Sequence, residues 1–309
     1  MSKDNNEKFS ICYDNNICNF HKYTFSPAIS FEFYDLHSED TVGGQHKAMN
    51  LFRIDFTKVG RFECEFPDHT FSFRGENEIT MMATEENEKW ILGSSFPLDV
   101  YIGCALLIKL DKISNEDKLF LEKFHIDISE LISTMNLNNK WYKFNDTNKL
   151  LDLFNDIYKA HMISNAELIL LKSLEMLVFI SNSEFHHRLT KKNSQYFSGD
   201  QVKKVKTIHS IITKNYNKKI SLEKIVSENG IGYSTFNKIF KNIYGESPYQ
   251  YLKKTRMNFA AQKLHESELS ILEIAVCVGY SNPSKFSDAF KSIFGLLPST
   301  FRKQKNGME

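Results

Sequence analysis

Two stretches in the C-terminal third of the chain carry polar side chains of the kinds that form hydrogen bonds with nucleic acids. The polar positions are Ser234, Thr235, Asn237, Lys238 and Lys241 in the first stretch, and Ser284, Lys285, Ser287, Asp288 and Lys291 in the second. Amide, hydroxyl and carboxylate groups can distinguish base edges in the major groove. Lysine suits phosphate because it is a flexible point charge. The residue types therefore predict contacts with DNA, with Lys241 and Lys291 on phosphates; the alternative is a pair of solvated helix faces.

The two stretches belong to a repeated pattern of a short apolar helix, a turn that contains glycine, and a second, longer helix. Gly230 and Gly279 occupy equivalent turns, and Gly245 and Gly295 follow the second helix of each repeat. A bend through the left-handed backbone region favours glycine, because a Cβ resists it. The spacing predicts two helix-turn-helix units in an all-α domain at residues 201–305.

Capping residues mark the helix boundaries of this region. Ser221 precedes an apolar helix as an N-cap, and Ser270 and Glu273 have the spacing of a capping box. Proline suits the first position of a helix, where no N–H is needed; the prolines so placed are Pro248, Pro283 and Pro298. A helix from Pro248 to about Glu266 would be roughly 27 Å long, a rigid strut that could hold the two units about one turn of DNA (~34 Å) apart.

Charge is unevenly divided along the chain. Residues 199–309 contain 18 Lys and Arg against 9 Asp and Glu, a net charge of +9, although the 309 residues together carry only +1. The first 198 residues are therefore acidic. A basic third on an acidic body predicts a polyanionic partner for the basic part.

The first two thirds of the chain are organised differently. Residues 1–20 are polar and are expected to be flexible. Alternating apolar and polar residues predict short strands, and a β-rich sensing domain at 21–112 that forms a small barrel or sandwich. The predicted strands cover 28–36, 51–59, 61–66, 70–74 and, as a central strand, 101–110.

Helical periodicity follows the strands and predicts a packing and dimerisation region at 113–181. The predicted helices cover 117–124, 128–135, 148–161 and 165–179. The leucine-rich face of the last helix is either core or a dimer interface. Residues 182–200 are polar and rich in Ser and Asn, which is typical of a linker.

Catalytic and metal-binding signatures are weak. His46 and His69 lie where a metal-binding barrel could place ligands, but no H-x-H pair with a following glutamate accompanies them. Ser72, Ser94 and Ser95 lack the G-x-S-x-G context of a nucleophile elbow, and phosphate-binding glycine loops are missing from the sequence. We therefore assign no catalytic residue, metal ligand or cofactor, and we do not expect an enzyme.

Cysteine usage and hydropathy indicate a cytoplasmic protein. The five cysteines are scattered without a C-x-x-C pair, which favours reduced thiols over zinc ligands or disulfides. Cys277 lies in an apolar helix and is expected to be a core thiol. The sequence has no long apolar segment and its N-terminus is polar, so we expect neither a membrane span nor a secretory signal.

The second repeat carries a signature that the first repeat partly shares. Its residues are Ile274, Ala275, Val278, Gly279, Tyr280, Ser281, Asn282, Ser284, Lys285, Phe286, Ser287, Phe290, Lys291, Phe294, Gly295, Pro298, Phe301 and Arg302. Together with the first repeat they resemble the AraC/XylS family of transcription regulators over residues 201–304. Departures from the family pattern are Val226, Asn229, Gly232 and Leu297.

The resemblance implies a sequence-specific DNA-binding regulator of transcription, an effector-responsive activator. Its expected partners are double-stranded promoter DNA, a small-molecule effector, a second copy of the chain and RNA polymerase. It implies a multidomain α+β fold with a small cupin-like β-barrel and helices at the front. Arg302 joins the expected DNA contacts, although Arg256 and Arg302 could instead be structural or could clamp phosphate. The alternatives are a cupin-type metalloenzyme fused to a DNA-binding domain and an architectural DNA-binding module without an effector.

Overall fold

The computed structural model describes residues 6–13, 16–37, 50–84, 91–137, 141–144, 148–182 and 195–305. The chain divides into two compact units, Met1–Phe197 and Ser198–Glu309. The division falls inside the segment 182–200, but residues 183–194 lie outside the described residues, so the linker stays a prediction. None of the described helices is both long enough and apolar enough to cross a membrane.

The strands of the first unit form two antiparallel sheets. They are β1 (Asn6–Tyr13), β2 (Asn16–Thr24), β3 (Ile29–His37), β4 (Leu51–Gly60), β5 (Phe62–Glu65), β6 (Thr70–Arg74), β7 (Ile79–Thr84), β8 (Gly93–Ser95), β9 (Val100–Lys109), β10 (Tyr142–Lys143) and β11 (Phe197–Ser198). The larger sheet has the order β1-β2-β3-β9-β4-β7-β10, and the smaller has the order β11-β6-β5-β8. A single 3₁₀ turn, Leu110–Lys112, follows β9.

Four helices complete the first unit and cover one face of the larger sheet. They are α1 (Asn115–Glu122), α2 (Ile128–Met135), α3 (Asn148–Met162) and α4 (Ala166–Ser181). Leu106 of the central strand β9 pairs with Phe31 on one side and Ile54 on the other. These three side chains are fully buried in one core with Phe154 of α3 and Leu177 of α4. Each such burial stabilises the fold by about 1.5–3 kcal/mol.

The other face of the larger sheet carries both apolar and polar side chains. Arg74 of β6 connects this face to the smaller sheet. Its guanidinium donates hydrogen bonds to Thr57 Oγ1 at 2.9 Å, Thr80 Oγ1 at 2.8 Å and the Tyr101 hydroxyl at 2.6 Å. Asp55 lies 3.3 Å from the same guanidinium. A charged group, held by residues from the three strands β4, β7 and β9, therefore occupies the space between the sheets.

The predicted strands from 28 to 110 and the four predicted helices are confirmed with small shifts at their ends. The closed barrel is not confirmed, because the described strands form two open sheets with separate orders. Between residues 28 and 110 two strands, β7 and β8, were missed, and the two-residue strands β10 and β11 were not predicted either. All six residues of β7 are buried, which removes the alternation that marks a strand, and β8 has only three residues.

Residues 6–13 and 16–20, part of the segment that we expected to be flexible, lie in strands. They contain β1 and most of β2, which pair from Asn6 with Tyr23 to Tyr13 with Asn16. β2 continues the pairing onto β3. Backbone hydrogen bonds of a hairpin form whatever the polarity of the side chains, so a polar composition at a sheet edge does not exclude strands.

The second unit is all helical among its described residues, apart from Ser198 at its start. Its helices are α5 (Gly199–Lys214), α6 (Leu222–Glu228), α7 (Tyr233–Tyr244), α8 (Pro248–Glu266), α9 (Ile271–Cys277), α10 (Pro283–Phe294) and α11 (Pro298–Lys305). Ser221 caps α6, and Ser270 and Glu273 form a capping box at α9, as the sequence predicts. The long helix α8 begins and ends at the predicted residues.

Candidate nucleic-acid interface

The first helix-turn-helix unit consists of α6, a turn and α7. Gly230 in the turn has a φ of +64°, the left-handed conformation that its sequence position predicts. Phe236, Ile239 and Phe240 of α7 have no exposed surface. Because these residues attach one face of α7 to the core, the opposite face is directed to solvent.

The second helix-turn-helix unit repeats this construction with α9, a turn and α10. Gly279 has a φ of +84°. Phe286 and Phe290 of α10 are fully buried in a core with Ile274 and Val278. The two units therefore present their second helices, the recognition helices α7 and α10, in the same way.

The predicted contact residues of α7 lie together on its solvent side. Ser234, Asn237, Lys238 and Lys241 are exposed and are spaced three or four residues apart, so they share one face. Thr235 is half-buried beside them. These groups form a continuous polar strip along the helix.

The predicted contact residues of α10 form an equivalent strip. Ser284, Asp288 and Lys291 are exposed and Ser287 is half-buried, at the same helical spacing as on α7. Lys285 is exposed at the start of the helix. The helices begin at Tyr233 and Pro283 and both end before a left-handed glycine, so their positions correspond one to one.

One corresponding pair carries opposite charges. Lys238 of α7 and Asp288 of α10 occupy the same position in their helices, and both are exposed. A lysine donates hydrogen bonds, whereas an ionised aspartate only accepts them. The two strips therefore cannot present the same hydrogen-bonding pattern to a partner.

Lys241 and Lys291 lie in the last turn of their helices. The N–H of Gly245 donates to the carbonyl of Lys241 at 2.9 Å, and the N–H of Gly295 donates to that of Lys291 at 2.8 Å. Both ammonium groups are therefore at the end of each polar strip, away from the first turn of the helix.

The first turns of the two recognition helices are capped differently. The Asn282 side chain accepts hydrogen bonds from the N–H groups of Ser284 at 2.9 Å and Lys285 at 3.1 Å. Gly232, at the equivalent position before α7, provides no side-chain cap. The start of α7 is therefore held less firmly than the start of α10.

Arg302 of α11 donates a hydrogen bond to the protein's own backbone. Its Nη2 donates to the carbonyl of Leu269 at 2.6 Å, and its Nε is buried. This contact attaches α11 to the segment between α8 and α9. Of the two roles that the sequence left open for Arg302, the observed contact supports the structural one.

Cys277 is exposed, so the expectation of a core thiol is wrong. It is the last residue of α9, where Ile274, Ala275 and Val278 face the core. Helical spacing then directs position 277 outward, a result of periodicity that the apolar composition of the helix obscured.

A basic residue outside the two repeats also reaches the first unit. Lys204 of α5 donates from Nζ to the carbonyl of Gly230 at 2.9 Å, across the turn between α6 and α7. Its neighbours Lys203 and Lys206 make the exposed side of α5 basic. The run of lysines was the available signal, but its contact with the turn requires the fold.

A known protein family matches part of the unit Ser198–Glu309. The family described as Helix-turn-helix domain matches residues 225–304. The chain is 32% identical over 102 residues to the HTH-type transcriptional regulator ExsA of Pseudomonas aeruginosa, which spans 33% of this chain and 37% of ExsA. It is 33% identical over 87 residues to the probable transcription factor PqrA of Proteus vulgaris, which spans 28% of this chain and 71% of PqrA.

A solved structure is similar to about a third of the chain. It is a transcriptional regulator with an AraC-type DNA-binding domain from Chromobacterium violaceum, 26% identical, covering 33% of this chain and 92% of that one with a TM-score of 0.31. The chain belongs to the AraC/XylS family of transcription regulators, and its second unit is the family's helix-turn-helix domain. It spans little more than a third of the length of relatives such as ExsA.

Proposed function

We propose that the protein is a sequence-specific DNA-binding regulator of transcription that reads a promoter operator with α7 and α10. The observation that carries this proposal is the pair of corresponding polar strips on two recognition helices of a basic unit. The contacts are Ser234, Thr235, Asn237, Lys238 and Lys241 on α7, and Ser284, Lys285, Ser287, Asp288 and Lys291 on α10.

Opposite charges at Lys238 and Asp288 give the two half-sites different preferences. Lysine donates to the O6 and N7 acceptors of guanine, and aspartate accepts from the N4 amino group of cytosine. The operator is therefore asymmetric, with a guanine favoured opposite α7 and a cytosine favoured opposite α10. Lys241 and Lys291, at the ends of the strips, neutralise phosphates at the groove edges.

The long helix α8 sets the scale of the operator. Its 19 residues span about 28 Å. This length suits two recognition helices that enter successive major grooves, about 34 Å apart, on one side of the duplex. The operator then extends over roughly two turns of DNA.

The N-terminal unit, Met1–Phe197, is proposed to sense a small-molecule effector and to be cupin-like in arrangement, with its two open sheets joined through Arg74. The charged groups between the sheets support this, since a purely structural interior needs no charge and burying one is costly. Arg74 and Asp55 are 3% and 2% exposed. Such groups would recognise a polar ligand that exchanges hydrogen bonds with Thr57 or Tyr101.

Self-association through α4 is a further part of the proposal. Leu171 and Val178 of α4 are 61% and 42% exposed, although Leu174 and Leu177 of the same helix are buried. Exposed leucine and valine at i and i+7 form an apolar stripe that a second copy would cover. The operator-bound dimer then activates transcription in the cytoplasm by contacting RNA polymerase.

The metalloenzyme alternative has less support. His69 is exposed, and its Nδ1 lies 2.9 Å from Glu65 Oε1. His46 lies outside the described residues. The proposal is tested by mapping where the protein binds in its own genome and comparing transcript levels with and without the gene. Binding upstream of genes whose transcripts fall when the gene is deleted supports an activator; random genomic binding contradicts the proposal.

A further inference from the structure

The two helix-turn-helix units are joined by more than α8. The loop that leads into the first helix-turn-helix unit, residues 215–219 between α5 and α6, contacts the second helix-turn-helix unit directly. The Tyr216 ring stacks on Phe259 of α8, with ring centres 4.1 Å apart and planes 7° apart. Tyr216 also packs against the core of the second unit. The chain entering the first unit is therefore attached to the second.

Arg256 of α8 lies at the centre of this contact. Its Nε donates to the carbonyl of Tyr216 at 2.7 Å, and its Nη2 donates to the carbonyl of Lys218 at 2.8 Å. Its guanidinium lies 5.6 Å from the ring centre of Tyr280, next to the turn of the second unit. The Arg256 guanidinium thus bonds the loop that leads into the first helix-turn-helix unit and faces an aromatic ring of the second helix-turn-helix unit.

The turn at Gly279 fits closely against the same loop. A Cβ on Gly279 would lie 2.9 Å from the carbonyl oxygen of Asn217 and 3.1 Å from Arg256 Nη2. Gly279 is therefore required twice, for its left-handed φ of +84° and for the approach of the loop. This second requirement is specific to Gly279, because the corresponding Gly230 has only Lys204 Nζ within reach, at 3.6 Å.

We propose that Arg256 is a positioning residue that fixes the separation and relative orientation of the two recognition helices, and so the spacing of the two halves of the operator. A single helix such as α8 is stiff along its own length. Each helix-turn-helix unit could still rotate about the point where it joins α8. The Arg256 contacts remove this freedom by bonding loop 215–219 to α8 beside Tyr280. This inference rests on the proposed function, since spacing has meaning only if both units read DNA.

The test is selection of bound sequences from duplexes with about 30 random base pairs, enough for two successive turns, by the full-length protein. The wild type should enrich two sequence elements at one fixed spacing. Arg256→Ala should enrich the same elements at several spacings. The penalty for inserting one base pair between them should fall about tenfold, the equivalent of one hydrogen bond to a charged group.

Two further variants keep the test decisive. Arg256→Lys retains the charge but cannot donate to both carbonyls in a fork, so it should also relax the spacing and decides the matter if Arg256→Ala does not fold. Lys254→Ala, which removes an exposed charge from the same helix, should keep the wild-type spacing.

Affinity for a duplex with only one element separates positioning from direct contact. It should be the same for Arg256→Ala and the wild type, because Arg256 is proposed to hold the units and not to touch bases. A single spacing retained by Arg256→Lys, or equal loss of affinity for one element and for two, would overturn the proposal. Enrichment of no element by the wild type would overturn the proposed function itself.

Discussion

The ring of His209 on α5 stacks on the ring of Tyr244 on α7, with ring centres 4.0 Å apart and planes 17° apart. His209 Nε2 also lies 2.8 Å from the hydroxyl of Tyr251 on α8. Burial lowers the pKa of His209 from 6.5 to about 4. The neutral imidazole is therefore part of the contact among the helices α5, α7 and α8.

This contact predicts a pH-dependent stability. Between about pH 6.5 and pH 4 the unfolded chain binds a proton at His209 that the folded chain does not. The contribution of His209 to the free energy of unfolding should therefore be constant above pH 6.5 and should fall as the pH is lowered towards 4. Urea unfolding of the wild type and of His209→Gln, at steps from pH 7.5 to pH 4.5, measures it.

His209→Gln should lose the fall in stability between about pH 6.5 and pH 4. His265→Gln, at an exposed position of α8, should retain it. Parallel pH profiles for the wild type and His209→Gln would show that His209 is protonated in the folded protein.

Asp288 and Lys291 should affect DNA binding in different ways. Asp288→Ala should lose about 1–3 kcal/mol at one cytosine and relax the preference there. Lys291→Ala should weaken binding equally for all sequences and reduce the slope of log affinity against log salt by roughly one unit. Affinities for single-base variants of the selected site, at several salt concentrations, distinguish the two effects.

Asn237→Ala on α7 should behave like Asp288→Ala, with its effect at a base of the other half-site. If Lys291→Ala changes base preference and leaves the salt slope as it was, the orientation proposed for α10 is wrong. If changes on α7 have no effect while those on α10 do, the uncapped first helix does not read bases.

The cap at Asn282 should stabilise the second recognition helix. Asn282→Ala removes the acceptor for two N–H groups and should lower the free energy of unfolding by roughly 0.5–2 kcal/mol. Gly232→Ser, in contrast, should stabilise α7 by a few tenths of a kcal/mol, since Gly232 has extended backbone angles and a Cβ there meets only Thr235 Oγ1 at 4.0 Å. Thermal unfolding monitored by circular dichroism at 222 nm, roughly the helical minimum, measures both. Stabilisation by Asn282→Ala would contradict the cap.

The buried ion pair between the sheets should be sensitive to loss of its anion. Burial alone raises the pKa of Asp55, but Arg53 and Arg74 outweigh burial and hold that pKa below its usual value. Asp55→Ala leaves the buried Arg74 without its carboxylate. It should destabilise the N-terminal unit, Met1–Phe197, by about 3–5 kcal/mol. Asp35→Ala, at the exposed pair with His37, should change stability by less than about 1 kcal/mol. Equal effects in urea unfolding would contradict this account.

The stability that depends on Asp55 has a defined direction with pH. Because the folded pKa lies below the unfolded one, this contribution is present above the ordinary aspartate pKa of 3.8 and is lost as the pH falls through the folded pKa. It therefore acts at lower pH than the contribution of His209, and the two can be separated in one titration.

The DNA-binding unit could be predicted from the sequence because its signals are local. Gly279, Asn282 and Pro283 determine their turn and helix start through their own backbone preferences and hydrogen bonds. The contacts of Arg256 could not be predicted in the same way. They join residues that are 38 and 40 positions apart in the chain, and only the packed fold brings those carbonyls to the guanidinium.

The N-terminal unit, Met1–Phe197, was harder to predict because its strands pair with strands that are distant in the sequence. Ile29 pairs with Ile108, and strand alternation alone does not reveal which strands become neighbours. Arg74 is the last of the alternating residues of β6 and looks like a solvent-facing end, yet it is buried and bonded to residues of β4, β7 and β9. Its partners, Thr57 and Tyr101, have no sequence pattern that connects them to it.

The most direct test of the central claim is the affinity of the purified full-length protein for its selected duplex and for a scrambled duplex of the same composition, at about 0.15 M salt. The account predicts that the selected site is bound at least about a thousandfold more tightly, as is typical of specific recognition. The difference should disappear when the polar strips are removed by Asn237→Ala and Asp288→Ala together. Equal affinity of the wild type for the two duplexes would contradict the claim that α7 and α10 read DNA sequence.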